Sequence, residues 1–322
     1  MLKALIKGFW RVVSSPGLIV WLWLVSIAVT LPLAWVMSES IQSSLDGSLV
    51  SDKLQEGFDM GWFGEFESEA KGLETTFTPT QTGVGAFYNN LEAWFSGSMF
   101  EMYPGVVGLG ILYALLWALF MGGVLERYSG SEGMFNLSRF FSTGGKFFFR
   151  FVRLAVFSGV LYYLVYRFSG WLLGWVEEST IDVTVEKTVL ARLILAAVVI
   201  AFLLTLINMV FDYAKIVTFK EDRRSMLLAF FRGLGLVFSN PLKTMGLYYA
   251  LVAVSALLLL FYSMVAPGVH QSTTTGVLIA FLVGQGFLVA KLMVRLWFYG
   301  GQIALYETIT TMPAEPEPVS KA

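Results

Sequence analysis

The chain has 322 residues, 56% of them hydrophobic, 16% aromatic and only 14% charged, where a soluble domain carries about 25% charge. That composition belongs in a bilayer, and a net charge of -1 gives no basis for a nucleic-acid partner. Cysteine is absent and His270 is the single histidine, which excludes disulfides, thiolate or paired-histidine metal sites and a cysteine nucleophile, so no cofactor is expected.

Residues 1–15 read as a short basic amphipathic helix, with Leu2, Leu5, Ile6, Phe9, Trp10 and Val13 on one side and Lys3, Lys7 and Arg11 around the other. Such a helix lies in the headgroup layer. The first span follows at 17–37, long enough to cross a hydrocarbon core of about 30 Å. It exceeds the h-region of a cleaved signal peptide, so an uncleaved span is expected. Residues 38–103 form the only long polar segment, with Glu39, Asp46, Asp52, Glu56, Asp59 and a further run of acids against Lys53 and Lys71. This is the expected extracytoplasmic insert. Its middle, rich in Gly, Ser and Thr, reads as irregular. Phe87, Leu91, Trp94, Phe95 and Met99 fall at helical spacing and predict a second interfacial helix.

The second span, 105–125, carries Gly110, Ala114, Ala118 and Gly122 in i, i+4 register, a stripe that lets helices approach closely. A turn at 126–133 leads into 135–151, where Arg139, Lys146 and Arg150 alternate with phenylalanines in a segment expected to lie along the membrane. The third span, 154–175, ends in Trp171 and Trp175, with Arg167 in its outer half. The fourth, 189–211, carries Ala197, Ala201 and Thr205. Beyond it come a charged turn at 220–224 and an amphipathic helix with Leu227, Phe230, Phe231, Leu234 and Phe238 on one face. The fifth span is 246–266, a short turn is expected at 267–275, and the sixth span, 276–298, repeats the small residues at Gly276, Ala280 and Gly284. The tail, 311–322, is proline-rich and polar, composition expected of a disordered cytoplasmic segment. Residues 1–310 thus read as one six-span domain.

Positive charge fixes the expected orientation. Lys3, Lys7, Arg11, Arg127, Arg139, Lys146, Arg150, Arg153, Lys215, Lys220, Arg223, Arg224, Arg232 and Lys243 fall on one side of a six-span chain, and few lysines fall on the other. The positive-inside rule then puts both termini in the cytoplasm and the protein in the cell membrane.

Three short stretches recur. RVVSSPGLIVWLW from Arg11, RFFSTGGKFFFRF from Arg139 and GLVFSNPLKTMGLYY from Gly235 enter spans one, three and five. MGGVLERY from Met121, FDYAKIVTF from Phe211 and YGGQIALYE from Tyr299 leave spans two, four and six. The expected fold is therefore an all-α integral membrane protein of six transmembrane helices as three hairpins, each preceded by an interfacial amphipathic helix. This unit, with its turn KEDRRS at 220–225, resembles the multi-pass membrane domain of some glycerophosphoryl diester phosphodiesterases and related uncharacterised bacterial membrane proteins. The pattern covers most of the chain except the insert. No phosphodiesterase catalytic domain accompanies it, so the resemblance implies a fold and a location and no activity.

Candidate functional residues are few. Asp212 and Lys215 end span four, and Lys291 and Arg295 lie one turn apart in span six. Charges at such depth pair or snorkel, which predicts an ion pair between Asp212 and Lys291 or Arg295. Arg167 reads as a snorkelling cation, His270 as a loop residue, and Asn208 and Gln285 as interhelical hydrogen-bonding amides. Asn136-Leu137-Ser138 matches a glycosylation sequon on the side expected to be cytoplasmic. Arg223, Arg224 and Arg232 form a basic helix face expected to meet the bilayer and its anionic headgroups. No nucleophile faces a base and no carboxylate pair is tuned for acid–base work, so an enzyme is not expected. The expected role is non-enzymatic, membrane-organising or accessory, with lipid or protein partners and a protein partner at the insert. A small-molecule permease or channel is the alternative, and a continuous polar cavity lined by Asn208, Asp212, Gln285 and Lys291 would favour it.

Overall fold

The computed structural model describes residues 1–46, 50, 54, 59–77, 83–98, 103–130, 134–266 and 273–310. Asp52, Lys53, Glu56, Met99, Glu101, His270 and the tail 311–322 lie outside the described residues, as does much of the turn expected at 267–275. The described elements are α1 (Leu2–Val13), α2 (Pro16–Leu45), α3 (Met60–Glu69), a 3-10 turn (Gly72–Thr76), α4 (Gly83–Ser96), α5 (Pro104–Tyr128), α6 (Leu137–Thr180), α7 (Glu186–Lys220), α8 (Met226–Ser239), α9 (Pro241–Val265) and α10 (Thr274–Thr310). No strand occurs among the described residues. Six helices, α2, α5, α6, α7, α9 and α10, are long and apolar enough to cross a membrane. The protein is an all-α, multi-pass membrane protein.

Local chemistry sets several boundaries. Pro16, Pro104 and Pro241 open α2, α5 and α9, positions where the missing amide hydrogen is not needed and the fixed φ is already helical. Asn136 caps α6 by accepting from the Arg139 amide at 3.1 Å, which gives the sequon asparagine a structural task. Asp59 caps α3 by accepting from the amides of Gly61 and Trp62 at 2.8 and 3.1 Å. This helix lies where the sequence reading places irregular chain. Trp62, Phe63 and Phe66 explain the difference, because they bury together against Phe77, Ile41 and Leu45.

Most of the core gathers at one end of the bundle, the end at which α1 lies. Its residues come from the start of α2, the second half of α5, the start of α6, the ends of α7 and α10, α8 and the start of α9. The opposite halves bury fewer side chains, Val165, Ser169, Val176, Ala196 and Ile200 among them, and expose many large ones. Leu31 and Trp35 of α2, Ile111 of α5, Trp171 of α6, Leu195 of α7 and Phe281 of α10 are all exposed. Apolar surface of that extent is stable only against lipid or another apolar partner. The small-residue stripes divide the same way. Ala118 and Gly122 are buried, whereas Gly110 and Ala114 are not, and α7 buries Ala196 and Ile200 instead of Ala197 and Ala201.

At the α1 end one contact type occurs three times. α1 packs on the end of α10, the start of α6 on the end of α5, and α8 on the end of α7. Each crossing is made at small residues. A Cβ added to Gly8 would stand 2.4 Å from the Gly301 nitrogen, one on Gly144 2.5 Å from the Leu119 carbonyl oxygen, and one on Gly233 2.9 Å from the Val210 carbonyl oxygen. α1 buries Ala4, Gly8 and Val12, and α8 buries Ala229, Gly233 and Val237. Aligning Gly8 with Gly233 also aligns Lys7 with Arg232, Ser14 with Ser239 and Pro16 with Pro241, the register read from the sequence. The middle copy differs. Gly144 is the residue that occupies the crossing, so the alignment of Ser142 with Ser14 is displaced by about two helical turns. The Ser-Thr-Gly stretch at 142–144 is no break, since α6 runs unbroken through 44 residues.

The apolar faces expected to lie flat are split by these crossings. In α8, Phe230 and Leu234 pack on the core while Leu227, Leu228, Phe231 and Phe238 remain exposed. In α1, Leu2, Ile6, Phe9, Trp10 and Val13 remain exposed.

Polar links tie the three crossings together. Glu307 of α10 receives Lys7 at 3.2 Å, Arg11 at 2.8 Å and Lys220 at 3.0 Å. Arg150 of α6 meets Asp222, after α7, at 2.6 Å, Arg139 pairs with Glu126 of α5, and Arg127 donates to the Ser15 hydroxyl at 2.9 Å. The links close a collar of helices running α1, α10, α7, α6, α5 and back to α1.

Candidate functional site

Between α7, α9 and α10 lies a cavity of about 890 Å³, lined in part by Asn208, Asp212, Ser255, Gln285, Lys291 and Arg295. The four residues named from the sequence all line it, but Leu258, Leu259, Phe281 and Leu288 line it too, so it is not the continuous polar cavity named there. Its shape follows from the packing. Asp212, Lys215 and Tyr299 line it toward the α1 end, and Ala86, Phe87 and Asn90 of α4 line its far end. α4 crosses that end between two helices. It packs against α9, and its Trp94 donates to the Ser169 hydroxyl of α6 at 3.0 Å. The first half of α7 contributes nothing to the lining, and its Leu193, Ile194, Leu195 and Val198 are exposed.

The floor is charged. Asp212 is 4% exposed and does not pair with Lys291 or Arg295. Lys215, one turn further along the same helix, donates to Asp212 Oδ1 at 3.0 Å, and Gln302 Nε2 donates to Oδ2 at 3.2 Å. The i, i+3 spacing puts a lysine within reach without any interhelical adjustment, so the local partner prevails over the distant ones. Lys215 also lies 5.7 Å from the centre of the Tyr299 ring. Lys291 sits 5.5 Å from the centre of the Phe287 ring. The Arg295 guanidinium lies 3.5 Å from the centre of the Trp117 ring, and Arg295 donates to the Tyr113 hydroxyl at 3.4 Å. Neither Lys291 nor Arg295 has a carboxylate partner among the described residues. Both are exposed, and among the described residues their charges meet aromatic rings and, for Arg295, the Tyr113 hydroxyl.

Above the floor the walls are mixed. The amides read as interhelical hydrogen-bonding groups do bridge helices: Asn208 Nδ2 donates to the Tyr248 hydroxyl of α9 at 2.7 Å, and Gln285 Oε1 accepts from Trp23 Nε1 of α2 at 2.9 Å. Tyr262 and Phe287 stack with ring centres 3.9 Å apart, and Leu258, Leu259, Phe281 and Leu288 supply apolar wall. Gly284, part of the third small-residue stripe, serves this cavity and not a helix crossing. A Cβ built there meets nothing within 4 Å.

The second candidate group is the basic face of α8 and the turn before it. Arg223 and Arg232 both engage Glu221, Arg232 at 3.7 Å, whereas Arg224 is exposed with no acidic partner among the described residues. Burial pushes the Glu221 carboxyl up, and hydrogen bonds from Arg223 and Tyr306 with the charges of Arg223 and Arg232 outweigh it, so its pKa lies below the ordinary value. Asp222, with a left-handed φ of 46, is held low by the Arg150 hydrogen bond and by Lys146. Arg167 lines a separate hollow of about 350 Å³ with Trp94, Tyr166 and Trp171. Among the described residues no group of three or more His, Cys, Asp or Glu could hold a metal ion.

Comparison with known proteins finds no family model that matches this chain, and no match among the curated proteins or the solved structures. The likeness to the phosphodiesterase membrane domain rests on the sequence pattern alone.

Proposed function

We propose that this is a non-enzymatic membrane protein that takes an amphiphilic small molecule into the cleft between α7, α9 and α10, the permease-class alternative of the sequence reading. The observation that carries this is the cleft itself. Its apolar upper walls and charged floor meet in one space of about 890 Å³, within the size range of small-molecule sites, about 300–1,000 Å³. A helix bundle stabilised only by its own packing would fill such a space, because interiors are close-packed. On this reading a ligand enters from the bilayer past the first half of α7, which contributes no residue to the lining.

Native mass spectrometry of the detergent-purified protein tests the reading. Gly284→Phe places a ring in the open space beside Gly284 without touching the collar. The wild type should retain a small-molecule adduct that Gly284→Phe loses. An adduct retained equally by both, or none with the wild type in native lipid, would reject the cleft as a ligand site.

The membrane-organising reading keeps one specific support, the exposed apolar side chains on α1 and α8. On this reading both helices lie against the cytoplasmic leaflet, with Arg224 among anionic headgroups, both termini inside and the insert outside, where a protein partner would meet it. A peptide covering α8 should be disordered in buffer and helical on anionic vesicles. Equal folding on neutral vesicles would remove the electrostatic part.

A further inference from the structure

We infer that the ligand of this cleft is an anionic amphiphile, its acidic head held by Lys291 and Arg295 and its chain lying along Leu288, Gly284 and Phe281; the inference rests on the cleft being a ligand site. Charge is the first ground. Among the described residues Lys215, Lys291 and Arg295 line the cleft against one carboxylate, Asp212, and Asp212 is already engaged by Lys215 and Gln302. Two cations remain without an acidic partner among the described residues. Cations inside a membrane are costly unless paired or able to reach water. Arg295 is not placed to snorkel toward the α1 end. Its guanidinium lies over Trp117 and bonds to Tyr113, which stands one turn further from that end.

Geometry is the second ground. Lys291 and Arg295 are four residues apart on α10, which puts them on one helix face as a two-point cradle. From Lys291 the lining continues along α10 through Leu288 and Gly284 to Phe281, a rise of about 15 Å. A bound molecule would have its head toward the α1 end and its chain toward the insert end, as a lipid of the leaflet at the α1 end is oriented. A cationic head would be repelled by the floor, and a zwitterionic head would set its own cation beside Lys291 or Arg295 with no free carboxylate to receive it.

The test uses the full chain in a neutral detergent and follows thermal unfolding, since a ligand that binds only the folded state raises the melting temperature with its concentration. The probes are decyl phosphate, decylphosphocholine and inorganic phosphate. Decyl phosphate should stabilise saturably, decylphosphocholine should bind at least about tenfold more weakly, and inorganic phosphate should have no effect at equal concentration. Lys291→Gln removes a side chain that has no carboxylate partner among the described residues and lies near the Phe287 ring, and should weaken decyl phosphate at least about tenfold. Arg295→Lys, which keeps the charge and loses the planar contact with Trp117, should weaken it less. Gly284→Phe should abolish it. Equal binding of both decyl compounds, lost in Gly284→Phe, would overturn the anionic assignment and leave the cleft standing. Inorganic phosphate binding as well as decyl phosphate would overturn the amphiphile. Binding of no probe, or binding unaffected by Gly284→Phe, would overturn both.

Discussion

Replacing Gly8 by alanine should destabilise the protein even though alanine is the better helix former. In an ordinary helix interior the exchange stabilises by about 1 kcal/mol. Here the added Cβ would fall 2.4 Å from the nitrogen and 2.6 Å from the Cα of Gly301. These are backbone atoms that cannot rotate away, so α1 and α10 must part by about 1 Å, a gap that already forfeits a quarter to a half of each dispersion contact. Overpacking of this kind costs about 1–3 kcal/mol, which leaves a net loss of up to about 2 kcal/mol. Gly284→Ala is the matched control. It has the same propensity gain and open space around the new methyl, so it should stabilise by up to about 1 kcal/mol. Gly144→Ala, at 2.5 Å from a carbonyl oxygen, should resemble Gly8→Ala, and Gly233→Ala, at 2.9 Å, should be milder. Fluorescence-monitored thermal unfolding of the four variants in one detergent ranks them. If Gly8→Ala raised the melting temperature as Gly284→Ala does, the close crossing of α1 and α10 would be wrong.

Three further outcomes are expected. Asp212→Asn leaves the Lys215 ammonium without its carboxylate and should cost about 3 kcal/mol, while the apolar pair Asp212→Leu with Lys215→Met should recover most of that in the same unfolding assay; an unchanged single variant would remove the ion pair from the account. Asp222 has a carboxyl depressed in the folded state by Arg150, so its contribution is present at neutral pH and is lost as pH falls through that depressed value, below the ordinary carboxylate range; Asp222→Asn should therefore lower stability at neutral pH and converge with the wild type in acid, and parallel curves at all pH values would contradict this. Cysteines introduced at Ser68 and Ser225 should react oppositely with an impermeant thiol reagent in intact cells, and equal labelling would contradict the proposed orientation.

The spans and their number were legible in the sequence because about 20 apolar residues is a signal that no soluble element mimics. The third repeat was legible because its serine and proline recur at the same offsets as in the first; the match of Gly8 with Gly233 emerges only from the helix crossings. The second was misaligned because a Ser-Thr-Gly run reads as a break, whereas Gly144 sits inside a helix at a close crossing. Burial of small residues instead of large ones on α1 and α8 was hidden for a related reason. In a bilayer the large apolar side chains can face lipid while glycine and alanine make the protein contact, so the more hydrophobic face is not the packed one. Of the site, Asp212, Lys291, Arg295, Asn208 and Gln285 were all visible as polar residues in apolar helices. Their pairing was not, since the partner of Asp212 depends on which side chain is nearest, and Lys215 at i+3 was the available clue. The role of α4 as a wall could not be read, because nothing in a polar insert says which helices it will lie across.

The most direct test of the ligand cleft is a cryo-EM map of the full chain in nanodiscs that contain both anionic and zwitterionic phospholipid. Elongated density is expected along α10 from Lys291 and Arg295 past Gly284 to Phe281, with its head at the two cations and its chain toward α4. A map in which α7 and α9 close on α10 and leave no space beside Gly284 would contradict it.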